Sequence, residues 1–223
     1  MCNSYAQTKG QAAIIALTRA LRDTTGNLPP LPGIFPDYFA PVVRNAPDGV
    51  RELAMLRWGM PGPPQFGGAP ITNIRNAKSP HWRAWLQPAN RCVVPFTSFC
   101  EWADTKPKKT ATWFAFDENR PLAFFAGIWT TWRGKRGPKS KPVEGEHQLF
   151  GFLTTDANAE VVTIHPKAMS AILRTENEIE TWLTAPADEA LKLQRPLPDQ
   201  SLKIVMTGEK EDSGSIQTIR LDV

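Results

Sequence analysis

Residue two of the chain is a cysteine, and removal of Met1, which so small a second residue permits, makes Cys2 the N-terminus. That end group is a 1,2-aminothiol. Its α-amine, with an ordinary pKa of about 7.7–8.0, is substantially unprotonated at neutral pH, unlike a lysine at about 10.4, and attacks an aldehyde directly. The thiol of the same residue then closes a five-membered thiazolidine on the imine, an intramolecular step of large effective molarity. No other amino acid at this position supplies both nucleophiles. Taken alone, a cysteine at position two is better read as an accident of sequence.

Two further places carry groups suited to such chemistry. Asn73 and Arg75 stand two apart, so an extended segment projects them to one side while Thr72 and Ile74 face the other. An Asn and an Arg that only satisfy turn backbone groups at a strand end have the same pattern. Glu101 follows the apolar run Val93–Phe99 and lies between Cys100 and Trp102. A carboxylate there is partly desolvated, raised in pKa and fit for proton transfer; a strand-end glutamate pointing to water is the even alternative. Eight tryptophans are many for 223 residues. Trp113, Trp129 and Trp182 lie within apolar patterns and read as core.

The elements that must position these groups are mostly strands. Ala40–Arg44, Leu53–Met60, Ile71–Ile74, Cys92–Trp102, Thr112–Asp117, Leu122–Trp132, Gln148–Thr154 and Ser201–Met206 read as β, with no βαβ alternation. A helix is expected over Gln11–Arg22, where Ala13, Ile14, Leu17 and Leu21 share a face. The proline-rich run Leu28–Pro36 forbids regular structure, and Trp82 and Trp85 share one face of a short helix after Pro80. Arg133–Gly145, rich in Gly, Pro and Lys, reads as an exposed hairpin loop, either a solvated one or one whose basic side chains touch phosphates. Pro166 opens a helix to about Leu173, and Thr175 with Glu178 forms a capping box for another ending near Leu183.

Composition bounds the chain to one compact globular domain over residues 1–223, with a polar tail from about residue 207. No apolar window approaches the ~18 residues of a membrane span, and no secretory signal pattern opens the chain, so a soluble cytoplasmic protein is expected. Cys2, Cys92 and Cys100 have neither disulfide nor zinc spacing, and no metal or organic cofactor is implied. A net charge of +4 permits a polyanionic partner without demanding one.

Read together, five stretches resemble the SRAP family (SOS-response-associated peptidase). They are Met1-Cys2; Arg57-Trp58-Gly59-Met60-Pro61; Thr72-Asn73-Ile74-Arg75-Asn76; Arg91-Cys92-Val93-Val94-Pro95 leading to Glu101-Trp102; and Thr154-Thr155-Asp156-Ala157-Asn158 followed by Ile164-His165. They lie within residues 1–183. The chain departs from the family pattern at Asn3 and Ser4, at Asn76, Ala77 and Lys78, and at Pro166. The resemblance implies a DNA-damage-response protein that captures abasic sites in single-stranded DNA through a thiazolidine on Cys2. It further implies that Asn73 positions the Cys2 amine, that Arg75 holds a phosphate beside the lesion, and that His165, alone among the three histidines, shuttles a proton at the sugar oxygen. Glu101 would transfer protons during imine formation and ring closure. Trp58 and Trp102, with Arg57, would line the lesion pocket or stack on bases. Self-processing peptidase and abasic-site lyase activities belong to the same expectation. Strand count and resemblance together predict an α+β single domain, largely antiparallel and barrel-like, flanked by a few helices and monomeric. An N-terminal-nucleophile amidohydrolase and a non-covalent single-strand binder are the alternatives.

Overall fold

The computed structural model describes residues 2–66, 68–138 and 140–214. Its strands are β1 (Ser4–Gln7), β2 (Arg22–Asp23), β3 (Leu31–Ile34), β4 (Phe39–Asn45), β5 (Arg51–Trp58), β6 (Asn73–Ile74) and β7 (Arg91–Phe96). They continue with β8 (Ser98–Ala103), β9 (Thr110–Ala115), β10 (Ala123–Arg136), β11 (Val143–Thr155), β12 (Met169–Ser170), β13 (Ile172–Leu173) and β14 (Lys203–Thr207). The helices are α1 (Gln11–Thr18), α2 (Ala159–Val162), α3 (Glu176–Thr184) and α4 (Ala187–Ala190).

Strands β11, β10, β7, β4 and β5 follow one another antiparallel, and a parallel pairing of β11 with β5 closes them into a five-stranded barrel. A second sheet, in the order β14-β9-β8-β1-β3, packs on it. This is the predicted α+β, barrel-like architecture. Alternation of side chains across the barrel strands gives it two apolar faces. Val42, Leu56, Val94, Phe125 and Phe152 belong to one cluster with Tyr5, Phe99 and Phe114 of the second sheet. Val43, Leu53, Val93 and Phe124 belong to the other, under Ile14 of α1 and Ile179, Trp182 and Leu183 of α3. Trp113, Trp129 and Trp182 are buried, as their apolar surroundings in sequence predict.

Several expectations are corrected. The proline-rich run contains β3, because Pro32 sits on an edge strand where its missing N–H costs nothing, and β3 pairs antiparallel with β1. The segment after Pro166 is no helix: the helical turn lies earlier, at α2, and Met169–Leu173 forms β12 and β13 against β11 and β10. The Arg133–Gly145 loop is largely strand, since β10 and β11 pair out to Arg136 and Val143. Cys92–Trp102 is two strands, broken at Thr97, whose N–H turns to the Ala6 carbonyl. α1 stops at Thr18, where Arg19 takes a left-handed conformation (φ 55°). The polar tail is fastened as far as it is described: Asp212 is buried, bonded to Ser98 Oγ at 2.6 Å and Arg120 Nε at 2.7 Å. The capping box of Thr175 and Glu178, the short helix over Pro80–Leu86 and the late strand β14 match their predictions.

Gly151 sets how closely the Thr72 segment lies on β11, for a Cβ there would meet Met60 Cγ at 3.1 Å and the carbonyl oxygens of Ile71 and Thr72 at 3.2 and 3.3 Å. Gly151→Val is expected to lower stability by about 1–3 kcal/mol by urea unfolding, because the segment must move away. An unchanged midpoint would show that this approach is not tight.

Candidate functional site

The first strand carries the N-terminal residues into the interior. Ser4, Tyr5 and Ala6 lie opposite Cys100, Phe99 and Ser98, so the chain before Ser4 runs past Glu101. Tyr5 fixes that course: its ring meets Trp58, Phe125 and Phe152 edge-on, at 5.2, 5.6 and 6.0 Å between centroids. Cys2 is fully buried, and its thiol donates to the Ser4 carbonyl at 3.2 Å. Burial, reinforced by the nearby Glu101 and Cys100, pushes that thiol well above its ordinary pKa.

Asn73 arrives from β6, which lies parallel to β11 with Asn73 opposite Phe152. Its Nδ2 donates to the Cys2 carbonyl and to Thr72 Oγ1, both at 2.9 Å. Its Oδ1 is buried and has no partner among the described residues. Glu101 is 1% exposed, and burial pushes it up to about 7. His165 Nδ1 donates to the Ala168 carbonyl at 2.9 Å and lies 3.9 Å from Glu101 Oε2. That donation puts the proton of the neutral ring on Nδ1 and makes Nε2 the basic nitrogen. Burial lowers the His165 pKa, so the ring is neutral at pH 7. The histidine is placed by its own motif: Asn158 Oδ1 caps α2 through the Val161 N–H, and the His165 N–H closes on the Val161 carbonyl.

The structure thus brings Cys2, Asn73, Glu101 and His165 together. Arg75 lies nearer the surface, in an ion pair with Asp156. Gln194 secures this edge by donating to the carbonyls of Arg75 and Thr154, each at 2.9 Å. Sequence reasoning missed Gln194, which stands outside every motif, and Tyr5, whose strand is too short to signal itself. Three expected DNA contacts are placed elsewhere. Trp58 is fully buried, stacked on Phe152 and bonded through Nε1 to the Thr72 carbonyl, so it presents no face to a base. Trp102 packs against the cluster of Ala6, Cys100 and Trp113, because alternation along β8 turns it away from Glu101. Arg57 pairs with Asp37 at 3.1 Å and lies over the Phe39 ring, pointing away from Trp58 on the same strand. His81 and His147 bond to backbone carbonyls of Pro61 and of Gly134 and Val143. Met1, whose removal the chemistry requires, lies outside the described residues.

Residues 1–210 match the family described as SOS response associated peptidase (SRAP). The abasic site processing protein YoqW of Bacillus subtilis (strain 168) and that of Bacillus phage SPbeta are each 30% identical over 138 residues, covering 59% of this chain and 57% of the relative. The match therefore spans little more than half the length of those relatives. A solved structure from Bordetella bronchiseptica superposes with a TM-score of 0.69 at 23% identity, covering 93% of this chain and 98% of its own. One from Bacteroides thetaiotaomicron gives 0.67 at 20%, covering 91% and 90%. Both have this fold. No helix among the described residues is long and apolar enough to cross a membrane.

Burying Glu101 has a pH signature. Its folded pKa, about 7, is raised above the ordinary 4.5, so the folded chain holds a proton that the unfolded chain releases between those values. The stability is complete below pH 4.5 and falls by roughly 3 kcal/mol as pH rises through 7. Glu101→Gln is expected to match the parent at pH 4.5 and to exceed it by up to about 3 kcal/mol at pH 8. Equal denaturation midpoints at pH 8 would mean that the carboxylate is not desolvated.

Proposed function

The chain belongs to the SRAP family, and on that premise we propose that it captures abasic sites in single-stranded DNA covalently, through a thiazolidine on Cys2 once Met1 is gone. The observation that carries this reading is the hydrogen bond from Asn73 Nδ2 to the Cys2 carbonyl, which fixes the aminothiol beside a buried carboxyl group. The relatives named for abasic site processing support the choice of substrate.

The steps follow from the groups present. The α-amine of Cys2 adds to the aldehyde of the ring-opened sugar, giving a carbinolamine. Glu101, with its pKa near 7, retains a proton in a useful fraction of molecules and donates it to the departing hydroxyl, which leaves as water. The iminium and the Glu101 carboxylate remain. The Cys2 thiol, kept protonated by burial, adds to the iminium carbon while its proton passes to the carboxylate. Glu101 is thereby restored, and the net change is loss of one water. His165, neutral and basic at Nε2, is suited to exchange a proton with the sugar oxygen as the ring opens. Arg75, at the rim, exchanges Asp156 for a phosphate. The iminium is also the species from which the neighbouring phosphate is eliminated, so lyase activity competes with ring closure. Release of Met1 by the same groups is the corresponding peptidase reading.

The test is a denaturing gel of protein whose N-terminus has been verified as Cys2, incubated with a single-stranded oligonucleotide bearing one abasic site. A stable shifted band is expected without any reductant. Cys2→Ala keeps the amine and loses the thiol, so it should give a band only after borohydride trapping. A parent band that also needs borohydride would overturn the thiazolidine.

The rate of band formation should be bell-shaped in pH, because it requires a free amine, ordinarily of pKa about 7.7–8.0, and a protonated Glu101 of about 7. Glu101→Gln should slow the reaction about 100-fold at pH 7 and abolish the alkaline fall. Retention of that fall would assign it to another group.

A further inference from the structure

The β3–β4 connection and the tip of the β10–β11 hairpin face one another across a cleft of about 600 Å³, whose lining includes Asp37, Tyr38, Arg57, Gly137, Lys141 and Val143. None of the residues gathered around Cys2 lines it. We propose that this cleft is a second contact for single-stranded nucleic acid, taking a phosphate and the base beside it from the strand that flanks the reactive nucleotide. The proposal rests on the function proposed above.

Charge points to an anion. Arg57 and Lys141 line the cleft, and Arg136 at its back is within electrostatic reach of both Arg57 and Asp37. Two cations line the cleft against one carboxylate, and Arg136 adds a positive charge behind them. Arg136 is 6% exposed and donates through Nη2 to the Gly59 carbonyl, yet its Nε–H, like that of Arg57, is buried with no acceptor among the described residues. Guanidinium donors desolvated and left over in this way gain when an anion enters. The hairpin as a whole has the same sign, for residues 133–146, Arg136 and Lys141 included, hold five basic and two acidic side chains in a chain whose net charge is only +4.

Aromatic groups point to a base. Tyr38 and Phe39 are 54% and 53% exposed, side by side at the rim. Phe39 already carries the Arg57 guanidinium over its ring at 4.8 Å, whereas Tyr38 is braced edge-on by Phe35. Cations alternating with exposed rings are what single-strand binders use, the backbone tracking the charges and the bases stacking. The platform is also preformed. Asp37 is held at φ 71°, its N–H on the Trp58 carbonyl and the Trp58 N–H on the Tyr38 carbonyl. Trp58 in turn bonds through its indole to Thr72, the neighbour of Asn73. One buried residue thus joins the cleft to the Cys2 site.

The test uses an intact single-stranded oligothymidylate without any abasic site, titrated by fluorescence anisotropy into the full chain at several salt concentrations. Tyr38→Ala is expected to weaken binding about fivefold or more, and Tyr38→Phe to bind as the parent does. Lys141→Ala should flatten the slope of log K against log salt by about 0.7. Both residues are exposed, and thermal melts check that the variants fold. Parent-like affinity and salt slope in Tyr38→Ala and Lys141→Ala would overturn the proposal, as would a parent that does not bind intact DNA. A short acidic peptide that binds the parent and is lost in both variants, with DNA binding unmoved, would assign the cleft to protein and also overturn it. The two readings fail separately. Loss of Cys2-dependent crosslinking with the anisotropy effects intact removes capture alone, and unmoved anisotropy with normal crosslinking removes the cleft alone.

Discussion

The first described strand, β1, is built into the fold between two neighbours. β1 is hydrogen-bonded to β8 on one side and β3 on the other, and Tyr5 fills the space between the second sheet and the barrel. Chain ends ordinarily fray, because nothing offsets the entropy of ordering them. Here the ring contacts of Tyr5 and the ladder on both edges provide that offset, and three residues upstream Cys2 inherits the order. A nucleophile carried on a free tail would search many orientations for each productive one. On a fixed strand its carbonyl is already seated on Asn73, and the entropy is spent in folding rather than in each reaction.

The same burial sets the electrostatics. Enclosing Glu101 costs stability near neutral pH, and the fold tolerates that cost because the aromatic cluster beneath β1 and the closed barrel supply apolar burial around it. A carboxyl group out in water would ionise near its ordinary 4.5 and hold no proton to give at pH 7. Enclosure also keeps the Cys2 thiol from ionising, so in the proposed reaction the amine attacks first and the sulfur second. The order of the proposed steps is therefore a consequence of which groups are desolvated.

Much of this was legible in the chain itself. The raised pKa of Glu101 amid apolar neighbours, the capping box at Thr175 and most strands follow from local pattern. What local pattern misses is set by pairing at a distance. β3 exists because β1 offers it a partner, so a proline-rich run that forbids an interior strand still makes an edge one. β12 and β13 are two residues each and take their form from pairing with β11 and β10, which no periodicity can announce. Trp58 and Trp102 stand beside motif residues in sequence, but alternation along a strand sends neighbours to opposite faces. Adjacency to Arg57 or Glu101 therefore argued against a shared site. Gln194 contributes by donating its side-chain Nε2 to the carbonyls of Arg75 and Thr154, a role that leaves no mark on composition or spacing.

The cations that the proposed function would offer to a nucleic acid are restrained rather than free. Arg75 is held by Asp156 and Arg57 by Asp37, so a phosphate reaching either one displaces a carboxylate and gains only the difference between two ion pairs. With a net charge of +4, the sequence-independent attraction for DNA is small, and salt weakens it further. A protein that depended on equilibrium affinity would be poorly served by such pairing. One that forms a covalent bond, as proposed, is not, because selectivity would then reside in the aldehyde that the Cys2 amine meets. On the proposed function, weak and exchangeable contacts would let intact strand leave, while the buried constellation of Cys2, Asn73, Glu101 and His165 would act only on a strand that carries a carbonyl.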